Sequence, residues 1–267
     1  MSTRALRTAA SGMYAQQLNI EIISNNIANI NTTGFKRNKA EFKDLMYQQV
    51  QVNPLASSTP GISDSSGAKI QVGNGVQPAS SSKVFEQGDV TSTKGQLDLA
   101  IQGDGFFQVK KSDGTIAYTR DGSFKIASDG TVTTSAGYTL EPTITLNDDA
   151  KSINITTDGA VEVTTTSGST TVAGNIQLAR FINPAGMDSL GDNLYAETTS
   201  SGKPITGTPS SNGFGSLKQG YLEASNVDIV EEMVAMIQAQ RAYEINSKSV
   251  KTVEEMMTLA NNLKSSS

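Results

Sequence analysis

The chain has 267 residues, enough for one large domain or two modest ones, and a net charge of −5, so a phosphate-binding surface is not the first expectation. Hydrophobic residues make up 36 % and aromatics 6 %, low for one deep core, and abundant Thr, Ser, Asn and Gly favour thin β-layers and segments that do not order alone. Cysteine, histidine and tryptophan are absent, which excludes disulfides, thiolate chemistry and Ser-His or Cys-His nucleophiles, and leaves a zinc ion only carboxylates.

Arg4 and Arg7 precede an apolar stretch broken by Gln16, Gln17, Asn19 and Glu21. Neither a cleavable signal nor a spanning helix is expected, so the chain stays in the cytoplasm or leaves with its N-terminus uncleaved. Leu6, Met13, Ile20 and Ile27 fall at one heptad position, and Ala9, Gln16, Ile23 and Ile30 fall three later. That is the a/d seam of an amphipathic helix. It places Asn25, Asn26 and Asn29 on the outer faces. Asparagine is a poor helix former because its amide competes with the backbone. On an outer face, short amides suit close approach by another chain; the competing reading is a frayed helix end. Gly34 permits a left-handed cap and Phe35 an apolar anchor beyond it. In the basic run Lys36-Arg37-Asn38-Lys39, followed by Lys43, Glu41 and Asp44 interleave and no aromatic platform accompanies it. Subunit contact or simple solvation is expected there rather than nucleic acid.

Residues 47–70 hold Pro54, Pro60 and several serines and read as a connector. Period-two runs follow, separated by Ser112-Asp113-Gly114, Asp121-Gly122, Ser128-Asp129-Gly130 and Asp158-Gly159, each expected to be a hairpin turn. Residues 71–224 read as an all-β domain, sandwich-like or a distorted barrel, with 199–216 as a loop-rich return segment. Gly103-Asp104-Gly105 precedes a β-run and lacks a third glycine, so a tight turn is expected and not a nucleotide loop. The acidic pairs Asp148-Asp149, Glu231-Glu232 and Glu254-Glu255 are adjacent in sequence rather than opposed across a cleft, which argues against acid–base catalysis.

From Ile229 the helical period returns: Ile229, Met233, Met236, Gln240, Tyr243, Asn246, Val250, Val253, Met257, Ala260 and Leu263 step by three or four. Ser225 and Asp228 mark the start, with Glu231 and Glu232 placed favourably against the helix dipole. The expected fold is therefore α+β. An N-terminal helix (1–33) and a C-terminal helix (225–267) pair as an antiparallel coiled coil, joined through a connector (34–70) to an inserted all-β domain (71–224).

SNNIANINTTGFKR closely resembles the N-terminal signature of the flagellar rod and hook axial protein family, through Asn26, Ala28, Asn29, Thr32, Gly34 and Phe35. QGYLEASNVDIVEEMVAMIQAQRAYEINSKSV looks like the matching terminal motif, through Ser225, Asn226, Val227, Arg241, Ala242, Tyr243, Glu244 and Asn246. IQGDGFFQV and YTRDGSF also resemble family segments. The likeness covers most of the chain and is looser between about 141 and 210. Residues 47–65 occupy the place of a short rod-type insertion.

The resemblance implies a non-enzymatic structural subunit of the distal rod, without cofactor or metal. It implies passage of the unfolded chain through the flagellar export apparatus without a cleaved signal, then stacking into a straight hollow helical tube. The tube carries motor torque across the periplasm to the hook and filament. Implied partners are further copies of the chain, other rod subunits, the hook protein and the P- and L-ring bushing proteins, with no nucleic acid and no membrane insertion. The terminal helices are expected to order on assembly. The expected assembly residues are Leu6, Met13, Ile20, Asn25, Asn26, Ile27, Ala28, Asn29, Thr32, Gly34, Phe35, Asn226, Met233, Met236, Ile237, Arg241, Tyr243, Glu244, Asn246, Val250, Val253 and Met257. Alternatives are a hook or proximal-rod axial subunit and, outside the class, a secreted peptidoglycan-acting enzyme or glycan-binding β-module. Neither of the last two finds a hydrolase motif or an aromatic platform here.

Overall fold

The computed structural model describes residues 2–52, 68–146, 150–166 and 168–265. Most of the expected insertion, with Pro54 and Pro60, and the Asp148-Asp149 pair lie outside the described residues. The chain divides into two compact units. One comprises Met1–Asn25, Lys39–Ser81 and Val230–Ser267; the other comprises Asn26–Asn38 and Ser82–Ile229. Two helices and many short strands make the chain α+β.

The first unit holds most of helix α1 (Ser2–Ala28) and of helix α2 (Ile229–Ser265). Asp228 stands immediately before α2, and Glu231 and Glu232 occupy its first turn, where carboxylates oppose the positive end of the helix dipole. The segment read as a connector contains strands: Gln48–Val52 pairs antiparallel with Ala68–Val72, and Asn38–Asp44 pairs with Val76–Lys83. Ser11 ties α1 to this layer. Its hydroxyl accepts from the Val76 N–H at 3.3 Å and donates to the Thr8 carbonyl at 2.8 Å.

The second unit is built on a nine-stranded antiparallel sheet. Strand Phe106–Lys110 is its centre. One edge pairs with Ile116–Thr119, and the other is shared between Thr139–Glu141 and Leu178–Arg180. Successive side chains of a strand face opposite sides, so Phe106 and Phe107 feed two separate clusters. Phe107 packs with Leu99, Ile101, Phe124, Leu140, Ile144 and Leu178; Phe106 packs with Tyr118, Phe181, Met187 and Tyr195. The rings meet edge to face, Phe107 on Phe124 at 5.1 Å and Tyr118 on Phe181 at 4.8 Å, the arrangement their quadrupoles favour. A three-stranded meander (Ala150–Ile155, Ala160–Thr165, Thr170–Asn175) adds Ile155, Val161 and Val163 to the first cluster. The nine-stranded sheet thus packs apolar clusters on both of its faces, one of them shared with the meander.

Three of the four Asp-Gly turns expected to close hairpins join paired strands. At 111–115, 127–131 and 156–160 the first residue's N–H bonds the last residue's carbonyl, and Gly114, Gly130 and Gly159 have φ of 83°, 78° and 89°. Asp121-Gly122 is different. The strands flanking it, Ile116–Thr119 and Phe124–Ile126, do not pair with each other. A side chain on Gly122 would place its Cβ 1.7 Å from the Leu99 carbonyl oxygen. This dipeptide turns a corner against a neighbouring strand instead of closing a hairpin.

Candidate assembly site

The segment Asn26–Asn38 carries the amide-rich motif, and it belongs to the β-unit. Helix α1 stops at Ala28, short of the residue 33 expected from sequence, and a run of turns follows. Asn26 explains part of this. Its Oδ1 accepts from the Asn38 N–H and its Nδ2 donates to the Asn38 carbonyl, both at 2.9 Å. One amide thus satisfies both backbone groups of Asn38, as a strand neighbour would. Asn26 is 1 % exposed. The expectation that it sits on an outer face for another chain is therefore corrected, because the heptad assignment ignores that the chain folds back onto its own helix end.

Gly34 takes the left-handed conformation expected of it, with φ +67°. Its N–H donates to the Glu223 carbonyl at 2.8 Å. An added Cβ would lie 2.6 Å from the Asp121 backbone nitrogen, so conformation and space both demand glycine. Phe35 is buried, and the Lys83 ammonium lies 5.0 Å from its ring centre. Burial alone lowers the Lys83 pKa. The return segment contributes Asn226, whose Oδ1 accepts from the Arg37 N–H at 2.8 Å and whose Nδ2 donates to the Val84 carbonyl at 2.8 Å. Two asparagines far apart in sequence therefore do the same work, pairing backbone that has no ladder partner.

Between them lies a buried charge cluster that sequence reasoning missed. Lys36, assigned above to solvation or subunit contact, is 0 % exposed. Its Nζ donates to Glu223 Oε1 at 2.5 Å and to the Glu86 carbonyl at 2.6 Å. Glu223 Oε1 also accepts from the Gly88 N–H at 3.0 Å, and its Oε2 from Arg120 Nη1 at 3.4 Å. Arg120 Nη2 reaches the Gly103 carbonyl at 2.9 Å, while Arg120 Nε is buried without a hydrogen-bond partner. Desolvation lowers the pKa of both Lys36 and Arg120, and the Glu223 carboxylate opposes that shift in each. One carboxylate thus holds two buried cations from segments 187 and 103 residues away in sequence. No local pattern links the three.

The helical unit behaves differently. On α2 the less accessible residues are Glu232, Ala235, Met236, Ala239, Ala242, Asn246, Ser247, Val250, Val253 and Met257. At about 100° per residue all but Ser247 share one face. Val230, Met233, Val234, Ile237, Ile245, Leu259 and Leu263 are exposed and fall on roughly the opposite face. The seam expected from sequence is thus divided. Met236, Asn246, Val250, Val253 and Met257 lie on the sheltered face; Met233, Ile237, Arg241, Tyr243 and Glu244 are exposed. On α1, Leu6, Met13, Ile20 and Ile27 are half-buried, as are Asn29 and Thr32 beyond its end, and Asn226 in the return segment; Asn25 and Ala28 are exposed. The helices approach closely at Gly12, where an added Cβ would lie 2.8 Å from Asn246 Nδ2. Toward the start of α1 a groove of about 1010 Å³ opens, walled by Ala5, Thr8 and Ala9 of α1, Ile70 and Val72, and Val253, Met256 and Met257 of α2. Its walls offer no acid–base pair. Among the described residues, no group of three or more Asp or Glu is placed to hold a metal ion, and no helix is long and apolar enough to cross a membrane.

Three family models match segments of the chain. Residues 6–36 match the flagella basal body rod protein model, residues 100–163 the flagellar hook protein FlgE/F/G D1 domain, and residues 218–263 the flagellar basal body rod FlgEFG protein C-terminal model. Lys36, Arg120 and Glu223 each fall inside one of these matched segments. The chain is 50 % identical over 265 residues to the flagellar basal-body rod protein FlgG of Borreliella burgdorferi, covering 98 % of both chains. It is 47 % identical over 263 residues to the protein of that name in Caulobacter vibrioides, covering 98 % of this chain and 100 % of the relative. With the corresponding protein of Buchnera aphidicola subsp. Schizaphis graminum it shares 46 % over 254 residues, covering 95 % and 96 %.

Proposed function

The chain belongs to the flagellar basal-body rod protein family, and we propose that it is a structural, non-enzymatic subunit of the distal rod. In this reading α1 and α2 complete an antiparallel coiled coil within a straight hollow tube. Copies of the chain stack helically with other rod subunits below and the hook above, inside the ring bushings that span the periplasm. The tube carries torque, and the subunit reaches it through the flagellar export apparatus without losing its N-terminus.

One observation carries the reading. Helix α2 bears large apolar side chains on two opposite faces, and only one of them is sheltered by its own chain. A helix apolar on both sides is stable in water only when neighbours cover the second. Electron microscopy of the concentrated protein tests this. Straight tubes are expected from the intact chain, and none from a chain lacking residues 1–25, whose β-unit keeps its melting transition. Curved tubes would indicate a hook-type subunit; tubes from the truncated chain would remove the helices from the assembly element.

A further inference from the structure

Building on the rod reading, we infer which surfaces meet. The stripe Val230, Met233, Val234 and Ile237 of one copy seats in the groove walled by Ala5, Ala9 and Val253 of a second copy, head to tail.

The two surfaces are complementary in size. The stripe presents large side chains between 49 % and 67 % exposed, while the α1 wall of the groove is made of Ala5, Thr8 and Ala9. Charge matches at the rim, where Glu231 flanks the stripe one turn before Val234 and Arg4 lines the groove. Their placement forbids self-closure. Met233 and Val253 lie twenty residues apart on one continuous helix, about 30 Å along its axis. The stripe and the groove-lining residues of α2 are also turned roughly 140° from each other about that axis. No copy can fill its own groove, and a pair of copies joined this way leaves one groove and one stripe free. Such a heterologous contact propagates as an open filament when its rotation does not close into a ring.

The test uses full-length chains with one surface disabled. Val234→Glu with Ile237→Glu blocks the stripe; Ala5→Glu with Ala260→Glu blocks the groove through two exposed positions that line it. Sedimentation velocity is run on each variant alone and on their equimolar mixture, at a concentration where the unmodified chain forms long assemblies. Each variant alone is expected to stay monomeric, and the mixture to form dimers and nothing longer, because each brings one working surface. Val230→Ser with Met233→Ser, which shortens the stripe without adding charge, is expected to act as the stripe-blocked variant does. A monomeric mixture, long assemblies from the mixture, or normal assembly by either variant would overturn the pairing while leaving the rod reading intact. Failure of the unmodified chain to assemble would overturn the rod reading and the pairing together.

Discussion

The β-unit and the helical unit treat their surfaces in opposite ways. In the β-unit, even the irregular segments find partners inside the chain. Asn26 and Asn226 pair stray backbone groups, Glu223 collects two buried cations, and Phe106 and Phe107 fill opposite sides of one strand. In the helical unit one face of α2, with Met236, Ala239 and Val253, is sheltered, while Val230, Met233 and Ile237 stay exposed. The β-unit pairs its irregular segments within the chain, although Val172 and Ile182 stay exposed, whereas the helical unit leaves one apolar face of α2 uncovered, which the proposed rod reading assigns to neighbouring copies. The signature from Asn26 onward belongs to the β-unit.

That contrast can be broken most forcefully at Glu223. Removing its charge leaves two buried cations uncompensated, so Glu223→Gln is expected to cost about 3–5 kcal/mol of β-unit stability, read as a lower midpoint in urea. Lys36→Met leaves the carboxylate its Arg120 and Gly88 partners and is expected to cost less, under about 2 kcal/mol. Equal losses from the two would show that Glu223 is not the hub. Asn26→Leu comes next. It strands the Asn38 N–H and carbonyl, for a loss of about 2–4 kcal/mol, detectable as faster amide exchange at Asn38. An unchanged β-unit combined with failed assembly would instead return Asn26 to the subunit interface.

The smallest effect sharpens the comparison within the β-unit. Asp113 and Asp129 each accept a backbone N–H and a hydroxyl from the threonine two residues on, and these bonds hold both carboxyls below the usual value of 3.8. A carboxyl so depressed contributes stability above its unfolded pKa and loses it as pH falls through its folded pKa. Asp129→Ala should therefore lower the melting temperature slightly at neutral pH and make no difference in strong acid. A deficit that persists in acid would assign the effect to packing rather than to the charged turn.

What could be read from the sequence followed from how local each cause was. The hairpins at Asp113-Gly114, Asp129-Gly130 and Asp158-Gly159 were legible because turn chemistry sits within five residues. The same dipeptide at Asp121-Gly122 misled because its glycine answers to Leu99, which no local pattern reveals. The two helices were legible from their period, and the sheltered face of α2 was legible in part: Met236, Val250, Val253 and Met257 lie on it as expected, but periodicity also selected the exposed Met233 and Ile237 and passed over the sheltered Ala235, Ala239 and Ala242. Lys36 looked like one solvated cation among several, since its carboxylate lies 187 residues further on.

The claim that α2 keeps an apolar face for its neighbours is tested most directly by thiol labelling, since the chain has no cysteine of its own. Ile237→Cys should react rapidly in dilute solution and become at least about tenfold slower in assembled tubes, with Ala239→Cys slow in both. Equal rates for Ile237→Cys in monomer and tube would contradict the account.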